Sequence, residues 1–572
     1  MKKSIVVLVM VLVVAAGGIF YFMHQQPPAR QDEYATYLPS DTLALTSIRD
    51  LNELVDRFPD TALGHFLAKE TVDAILGEMK AGPEAIKEYN SAYDQIFSVL
   101  TNPGFRMIFG DDVELALLPF SAAELDQNPE ETLLGSVVIL ATTASASAMK
   151  TVAENILHGQ VEAVEDQGVS MTRIRLDDSS NAYVVNQGNR LLIGFTPGTL
   201  HRCLAARESG NHLAGANNFA EAQAFWQQKG KGKVYVRQFM QLDTLQKIMA
   251  QARDTTVQEA VRYLRGMQFA AGQAALSGHD WQSRSISSYV YEELDPAVRE
   301  LVDAGNGKNI TLHLLKTNPL LYSWSVGFDA SSWLKKVQET EPDQYRKWNL
   351  AMQEKFGVSL QQAAAAFGPQ YGFALEKIGQ GGMFPLPRFV AFMQVHDRAT
   401  ASDFLAGMRR EIARRGVAGF HEEKVDPYTL YSWTLLPGEA TQPSYVLGAD
   451  LLYLANNPND IKELLIVENE RERVPAEAMK RLGSFGDQIQ QATGGVYLFW
   501  PHRFAVQIKT AADWLAGLIA ASKGISIDRL EKELLALLSS TRLAVCTASL
   551  YPDHGSATLA FVAREEKKKG DK

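Results

Sequence analysis

Cysteine is almost absent from this chain of 572 residues, which contains only Cys203 and Cys546. No C-x-x-C pair occurs, and this excludes the redox and zinc motifs that depend on closely spaced thiols. Both cysteines lie among apolar residues, so we expect two buried free thiols. A single disulfide stays open if the compartment is oxidising, because the sequence does not place the two sulfur atoms together.

The chain also has fewer basic than acidic residues. Lys and Arg number 56 against 66 Asp and Glu, and the formal net charge is −10. Binding to nucleic acid without sequence preference depends on Lys and Arg that neutralise phosphates, so we expect no nucleic-acid partner. A hydrophobic content of 46% with 21% charged residues is ordinary for a globular protein. The length predicts roughly two to four domains.

Recognisable catalytic and metal-binding motifs are missing from the sequence. His421-Glu422-Glu423 lacks the second histidine that a zincin has four residues after the first. Residues 379–387 are rich in glycine but run into prolines, so they do not lead into a helix that would bind phosphate. No G-x-S-x-G motif occurs. We therefore assign no catalytic, cofactor-binding or metal-ligating residue and no cofactor, and we favour a protein that is not an enzyme.

One long apolar run is present, at residues 5–23, which carry no charge. A helix of this length spans roughly 28 Å, close to the hydrocarbon thickness of a bilayer. Lys2 and Lys3 precede it, and the positive-inside rule places them in the cytoplasm. We therefore predict that residues 1–23 are an uncleaved, single-pass anchor in the cytoplasmic (inner) membrane, with a signal-anchor helix at 5–23. The bulk of the chain would lie on the periplasmic or extracytoplasmic side.

Four landmarks recur in the same order in the two halves of the chain. FGDDVELALLPF from Phe109 matches FGPQYGFALEKI from Phe367, and GKVYVRQF from Gly232 matches GGVYLFWP from Gly494. A strand–turn–strand–helix pattern from Ala182 recurs from Ser444, and a hairpin-like segment closes each half. These repeats, with alternating runs followed by helical stretches, predict an internal duplication.

The predicted fold class is α+β, with an N-terminal transmembrane helix followed by two tandem, duplicated αβ modules with mainly antiparallel or mixed sheets. The predicted boundaries are a linker at 24–36, a first module at 37–300, a joint at 301–309, a second module at 310–563 and a charged tail at 564–572.

Several polar residues have a structural interpretation as well as a functional one. Asp50 precedes a helical pattern, so we expect its carboxylate to cap that helix, as Asp329 would in the second half. His279-Asp280 and Asp553-His554 occupy matching places that are typical of hairpin turns. They would form a metal site only if the two turns met.

Aromatic residues offer one binding hypothesis. Residues 496–504 and the helix-like stretch 510–521 form a dense apolar cluster, which fits either a groove for an apolar ligand, a lipid or a partner helix, or the core of the second module. Trp333 sits at the first turn of a helical pattern, where we expect a core residue.

Short motifs carry a resemblance to a known family. The strand entry Leu38-Pro39-Ser40-Asp41, the strand at residues 109–119 and the strand–helix unit at 136–157 follow the N-terminal apolar run. Together they resemble bacterial envelope proteins of domain-of-unknown-function family 3352, over most of residues 37–563. The resemblance implies a bacterial source and an envelope location, and it implies no catalytic residues because the family has no agreed activity.

The sequence thus predicts a membrane-anchored envelope protein that binds or scaffolds another envelope protein. Two alternatives stay open. One is a carrier of lipid or another apolar ligand, and the other is a hydrolase with a site assembled between the two modules.

Overall fold

The computed structural model describes residues 33–142, 160–176, 180–228, 230, 232–305, 307–327, 330–379, 385–416, 419–435, 441–468 and 476–564. The chain divides into two compact units. The first runs to Asp295 and also includes Ile525–Glu533 and Asp553–Ser556; the second contains Pro296–Gly524, Leu534–Pro552 and the chain from Ala557.

The described residues up to Asp295 form strands of five to eleven residues. They are β1 (Ala44–Arg49), β2 (Asp112–Leu117), β3 (Val137–Thr142), β4 (Gln160–Asp166), β5 (Val169–Arg175), β6 (Asn181–Gln187), β7 (Arg190–Gly194), β8 (Lys233–Gln241), β9 (Met267–Ser277) and β10 (Asp280–Tyr289). The helices are α1 (Leu51–Arg57), α2 (Ala62–Phe66), α3 (Lys69–Glu78), α4 (Pro83–Leu100), α5 (Pro103–Phe109), α6 (Ala122–Gln127), α7 (Pro129–Ser136), α8 (Pro197–Ser209), α9 (Asn217–Gln227), α10 (Leu242–Met249) and α11 (Thr255–Arg262).

The described residues after Asp295 contribute ten more strands. They are β11 (Leu321–Ser325), β12 (Phe367–Ile378), β13 (Pro387–Val395), β14 (Phe420–Val425), β15 (Tyr428–Trp433), β16 (Ser444–Leu447), β17 (Leu451–Ala455), β18 (Gly495–Phe499), β19 (Thr541–Leu550) and β20 (His554–Ala563). The helices are α12 (Pro296–Ala304), α13 (Ala330–Thr340), α14 (Pro342–Phe356), α15 (Leu360–Ala366), α16 (Arg398–Arg414), α17 (Pro458–Glu468), α18 (Ala476–Leu482), α19 (Gly486–Gln491), α20 (Pro501–Lys523) and α21 (Asp528–Ser540).

Both sets of strands follow one topology. The first has the order β4-β5-β6-β7-β3-β2-β1-β8-β9-β10, and these pairings are antiparallel. The second has the order β14-β15-β16-β17-β13-β12-β11-β18-β19-β20, with antiparallel pairing from β14 to β19. Each strand of the first order therefore has a counterpart ten numbers later.

Backbone hydrogen bonds at the ends of the central strands fix which residues are equivalent. In the first unit Leu43 N donates to Leu117 O at 2.9 Å, and Gln241 N donates to Leu43 O at 2.8 Å. In the second unit the same pattern links Leu320 N to Leu375 O at 2.7 Å and Trp500 N to Leu320 O at 3.0 Å. Residues that stand the same number of positions from these bonds along a strand are equivalent in the two units.

Each unit has its own hydrophobic core. In the first, Leu45, Phe239 and Phe269 of the sheet pack with Phe219 and Trp226 of α9. In the second, the strand residues Tyr322, Trp324, Val390 and Tyr453 pack with Ile461 and other residues of α17. A separate cluster includes Leu452, Ala401 and Leu405, and it covers the other face of β17, because neighbouring strand residues point to opposite faces.

The fold class predicted from the sequence is wrong as it was stated. Among the residues that the structure describes, no helix is long and apolar enough to cross a membrane. The longest described helix, α20, has 23 residues but includes the ion pair of Lys509 with Asp513. The apolar run at 5–23 that led to the predicted transmembrane helix lies outside the described residues. The described residues form helices packed on antiparallel sheet.

The backbone of β12 at Gly372 lies so close to the backbone of β11 that a side chain there would clash. A Cβ at this position would lie 2.0 Å from Ser323 O and 2.7 Å from the ring of Phe392. Trp324, which is 1% exposed, pairs directly with Gly372 across β11 and β12. The glycine therefore makes room for the core of the second unit.

We expect Gly372→Ala to lower the free energy of unfolding by about 1–3 kcal/mol, because the added methyl group overpacks the site. Urea unfolding of the full chain, followed by tryptophan fluorescence, measures this loss. Gly517→Ala in α20 is the matched control, since a Cβ there meets nothing within 4 Å. It should be neutral or stabilise by up to about 1 kcal/mol. Equal losses in the two variants would contradict the packing argument.

Candidate functional site

Asp50 does not cap helix α1 with its side chain. It stands at the N-cap position in a left-handed conformation, with φ 52° and ψ 44°, and its carboxylate makes no capping hydrogen bond. Its Oδ2 atom instead lies 2.8 Å from Lys233 Nζ, and Glu53 Oε2 lies 2.7 Å from the same nitrogen. The predicted cap is therefore wrong, because the antiparallel pairing of β1 with β8 supplies a stronger partner than the helix N–H groups. Asp329, its predicted counterpart, lies outside the described residues.

Lys233 is buried between these two carboxylates, with a side chain that is 7% exposed. Burial acts to lower the pKa of Lys233, but the hydrogen bonds that Lys233 donates to Asp50 and Glu53, together with their negative charges, outweigh it, so the pKa is raised. Tyr235 lies beneath the ammonium group, 4.8 Å from nitrogen to ring centroid, and burial together with Glu53 raises the pKa of its hydroxyl. At neutral pH the group is a charged, paired lysine, which is a structural ion cluster rather than a nucleophile.

The two predicted hairpin turns are confirmed, but they do not meet. Gly278, with φ 69°, and His279 connect β9 to β10, and residues 551–553 connect β19 to β20. Asp553 O accepts a hydrogen bond from Tyr289 N at the far end of β10. The strand places that end roughly 30 Å from the turn at His279. In the described part of the chain no group of three or more His, Cys, Asp or Glu is arranged to hold a metal.

Other residues have ordinary structural roles. His421 and Glu423 lie on the exposed strand β14. Asp397 caps α16, accepting from Ala399 N at 3.0 Å. The cysteines are free thiols: Cys203 is buried, which raises its pKa to about 12, and Cys546 is half-buried. Of the glycine-rich stretch, residues 380–384 lie outside the described residues.

The two units differ most in the charges that they bury. The first unit has a row of buried polar side chains across four neighbouring strands, formed by Glu114, Ser47, Arg237 and Gln273. Ser47 Oγ donates to Glu114 Oε1 at 2.9 Å. The equivalent positions of the second unit are Gly372, Trp324, Val496 and Thr547. The same topology therefore folds with either a polar or a largely apolar row.

The second unit buries charge elsewhere, beside the end of β12. Arg388 of β13 and Asp460 of α17 form a bidentate ion pair, with side chains that are 7% and 1% exposed. Glu376 lies near them, with its Oε1 atom 2.9 Å from Thr317 Oγ1. At the equivalent positions the first unit has Leu118, Ser136 and Thr199, without charge. Burial raises the pKa of Glu376, and a carboxyl group with a raised pKa beside a buried ion pair is a candidate functional site.

Helix α20 carries an exposed apolar surface, although it lies within the apolar cluster found in the sequence. Only Pro501, Ala505 and Ala516 of its 23 residues are buried. Val506, Trp514 and Leu518 are 72%, 44% and 50% exposed. Together with the exposed Thr510, Gly517 and Ala521 they lie at spacings of three and four residues on one side of the helix, and we call this set the exposed stripe.

The strand half of the same sequence cluster belongs to the core. Val496 and Leu498 of β18 are 2% and 0% exposed. Each of the two interpretations left open by the sequence applies to a different part of the cluster. The strand β18 belongs to the core, and the helix α20 presents a surface. Trp333 corrects another expectation, since it is 47% exposed and stacks on Trp348 with ring centroids 6.3 Å apart.

A cleft of about 460 Å³ lies in the first unit. Polar and apolar surface contribute about equally to its lining, which includes the charged side chains of Glu124, Glu131 and Arg202. Arg202 is held in place by a hydrogen bond to Pro119 O at 3.0 Å. Such a lining does not suit the hydrocarbon chain of a lipid.

Comparisons with protein-family models, with curated protein sequences and with solved structures found no match to this chain. The resemblance to domain-of-unknown-function family 3352 stays a prediction. The functional argument therefore depends on the surfaces and side chains described above.

The role of Asp50 can be tested by a double-mutant cycle with Lys233. Asp50→Asn keeps a side chain that caps helices and tolerates the left-handed conformation, but it removes the charge. We expect a coupling energy of about 1 kcal/mol between Asp50→Asn and Lys233→Met in urea unfolding, modest because Asp50 is 37% exposed. A coupling energy of zero, with Asp50→Asn as stable as the parent protein, would restore the capping interpretation.

Proposed function

We propose that this chain is a membrane-attached envelope protein that binds another envelope protein and is not an enzyme. The single observation that supports this most is the exposed stripe on α20. Large apolar side chains exposed side by side on a well-formed helix are typical of surfaces that dock a partner.

The geometry of the exposed stripe suits one kind of occupant, an amphipathic helix of the partner. From Val506 to Ala521 the stripe extends roughly 22 Å along α20, or about four turns. Gly517 and Ala521 are small and allow a second helix to approach closely, whereas Trp514 offers the large aromatic surface common among binding hot spots. Lys509 and Asp513 pair with each other at 2.7 Å beside the stripe, so the flank carries no net charge.

Membrane attachment through residues 5–23 is the second part of the proposal. It is supported by the uncharged apolar run and by the preceding Lys2 and Lys3. Attachment would keep the described units near the membrane surface, where envelope partners concentrate. The bulk of the chain would then lie on the extracytoplasmic side.

The other two functions predicted from the sequence have less support. A lipid carrier needs an apolar cavity, and the described cleft near Arg202 is lined by charged side chains as well as apolar surface. A hydrolase needs a nucleophile or an acid–base pair around an open site, whereas Lys233 and Arg388 are held in closed ion pairs. Neither alternative is the function that the geometry supports best.

We expect Leu518→Glu to reduce capture of the partner in cells at least about tenfold, which corresponds to about 1.4 kcal/mol of binding energy. The measurement is photo-crosslinking from a probe at Thr510, followed by mass spectrometry of the crosslinked peptide. Leu350→Glu on α14 is the matched control, because Leu350 is 59% exposed and lies outside the stripe. Crosslinks to lipid or to a second copy of the chain would refute a heterologous partner helix.

Membrane attachment predicts the behaviour of charged variants in the apolar run. Each lysine placed at the centre of a membrane-inserted segment costs about 2.5–3.5 kcal/mol. Leu8→Lys with Leu12→Lys should therefore move the chain out of the carbonate-resistant membrane fraction, while Leu8→Ala with Leu12→Ala should leave it there. Retention of the lysine variant in that fraction would show that residues 5–23 are not the attachment.

A further inference from the structure

A carboxyl group of the second unit lies where β12 departs from regular pairing. Leu375 pairs with Phe389 and Lys377 pairs with Arg388, so Glu376 is the extra residue of a β-bulge. Bulges redirect side chains and recur beside functional sites. The bulge directs Glu376 to the short 3-10 helix Leu312–Thr317, where Thr317 Oγ1 lies 2.9 Å from Glu376 Oε1.

The hydrogen bonds of Thr317 suit a protonated Glu376. Thr317 Oγ1 also lies 2.8 Å from Leu314 O, which can only accept. A hydroxyl group has one hydrogen, so when Thr317 donates to Leu314, the hydrogen in the second contact comes from the carboxyl group. Burial raises the pKa of Glu376 to about 7; Asp460 and Glu463 act in the same direction, whereas Arg388 and a hydrogen bond donated by Thr317 act against it.

Charged groups face Glu376 from three neighbouring elements. Helix α17 presents Asp460 and Glu463, which disfavour a second negative charge, and β13 presents Arg388, which favours it but is occupied by Asp460. Helix α20 presents Arg503, whose positive charge also interacts with Glu376. An ionised Glu376 is therefore repelled from the side of α17 and attracted to the start of α20.

The bulge is joined directly to α20. Ile378 N, two residues after Glu376, donates to Gln507 Oε1 at 2.9 Å. Arg503, in the first turn of α20, donates to Asn318 O at 2.7 Å, next to Thr317. A shift of the bulge thus reaches α20 near Val506, where the exposed stripe begins.

We propose that Glu376 makes the seating of α20, and with it the docking of a partner helix on the exposed stripe, sensitive to proton concentration. The docking part rests on the proposed function. With Glu376 protonated, the bulge and the start of α20 are held together through Thr317 and Gln507. With Glu376 ionised, repulsion by Asp460 and Glu463 drives the carboxylate away from Thr317 and toward water, and the bond between Ile378 N and Gln507 Oε1 opens more often.

The direction of this pH dependence follows from the raised pKa of Glu376. A carboxyl group whose pKa is raised on folding stabilises the packed state below its ordinary pKa, and this contribution is lost as the pH rises through about 7. The start of α20 should therefore be tighter at mildly acid pH than at mildly alkaline pH. The first unit has Leu118 at the equivalent position, so it has no matching response there.

Hydrogen–deuterium exchange of the purified full chain tests the proposal without any partner. After correction for intrinsic rates, amides of residues 503–510 should open roughly tenfold more often at about pH 8 than at about pH 5.5. Glu376→Gln should abolish this difference and keep α20 protected at both values. An unchanged pH dependence in Glu376→Gln, or no pH dependence in the parent chain, would overturn the proposal.

Two further measurements separate this proposal from the proposed function. Glu463→Gln removes an exposed neighbouring carboxylate and should keep the pH response. If this variant loses the pH response, Glu463 rather than Glu376 is the titrating group. If exchange responds to pH as expected but crosslinking from Thr510 captures no partner helix, the coupling stands and the binding function fails. If capture occurs equally at both pH values, the coupling to docking fails while the binding function stands.

Discussion

Each unit of this protein depends on one short central strand held between two neighbours. β1 lies between β2 and β8, and β11 lies between β12 and β18. Since both edges of such a strand are paired, its backbone groups are satisfied within the sheet, and its side chains are left to form the core. The closing bonds at Leu43 and Leu320 have the same pattern, which gives the three central strands the same register in both units.

This shared constraint leaves the side chains free to diverge. The first unit buries Glu114 and Arg237 in a polar row where the second has Gly372 and Val496. At another place the second unit buries Arg388 with Asp460, where the first has uncharged residues. Buried charges are costly unless they are paired and hydrogen-bonded, so their presence in only one unit at each place shows that the topology does not require them. Positions of this kind are where one unit can acquire a function that the other lacks.

The exposed stripe and the bulge at Glu376 belong to the same unit, and α20 connects them. Pro501, Ala505 and Ala516 are buried, whereas Trp514 and Leu518 are exposed. A helix that is buried on one side and exposed on the other can present a surface while its seating is controlled at its first turn. A surface for a partner and a titrating group that acts on its anchor are thus parts of one arrangement.

Short-range patterns predicted much of the local structure but little of the long-range pairing. The hairpin turns at His279-Asp280 and Asp553-His554 follow from residues close in sequence, and both are found. The role of Asp50 did not follow, because its partner Lys233 is brought near only by the pairing of β1 with β8. Trp333 was expected in the core because helical spacing shows that a residue lies on an apolar face, but not whether another element covers that face.

The sequence by itself determined the repeated order of landmarks, the scarcity of cysteine and the excess of acidic charge, because these are properties of the chain and need no knowledge of contacts. Only the tertiary structure decided which half of the aromatic cluster is core and which is surface. It alone placed Glu376 in a bulge, since a bulge depends on how Leu375 and Lys377 pair with the neighbouring strand. The difference is physical: apolar and charged patterns are local, whereas burial and the pairing of charges depend on elements far apart in the chain.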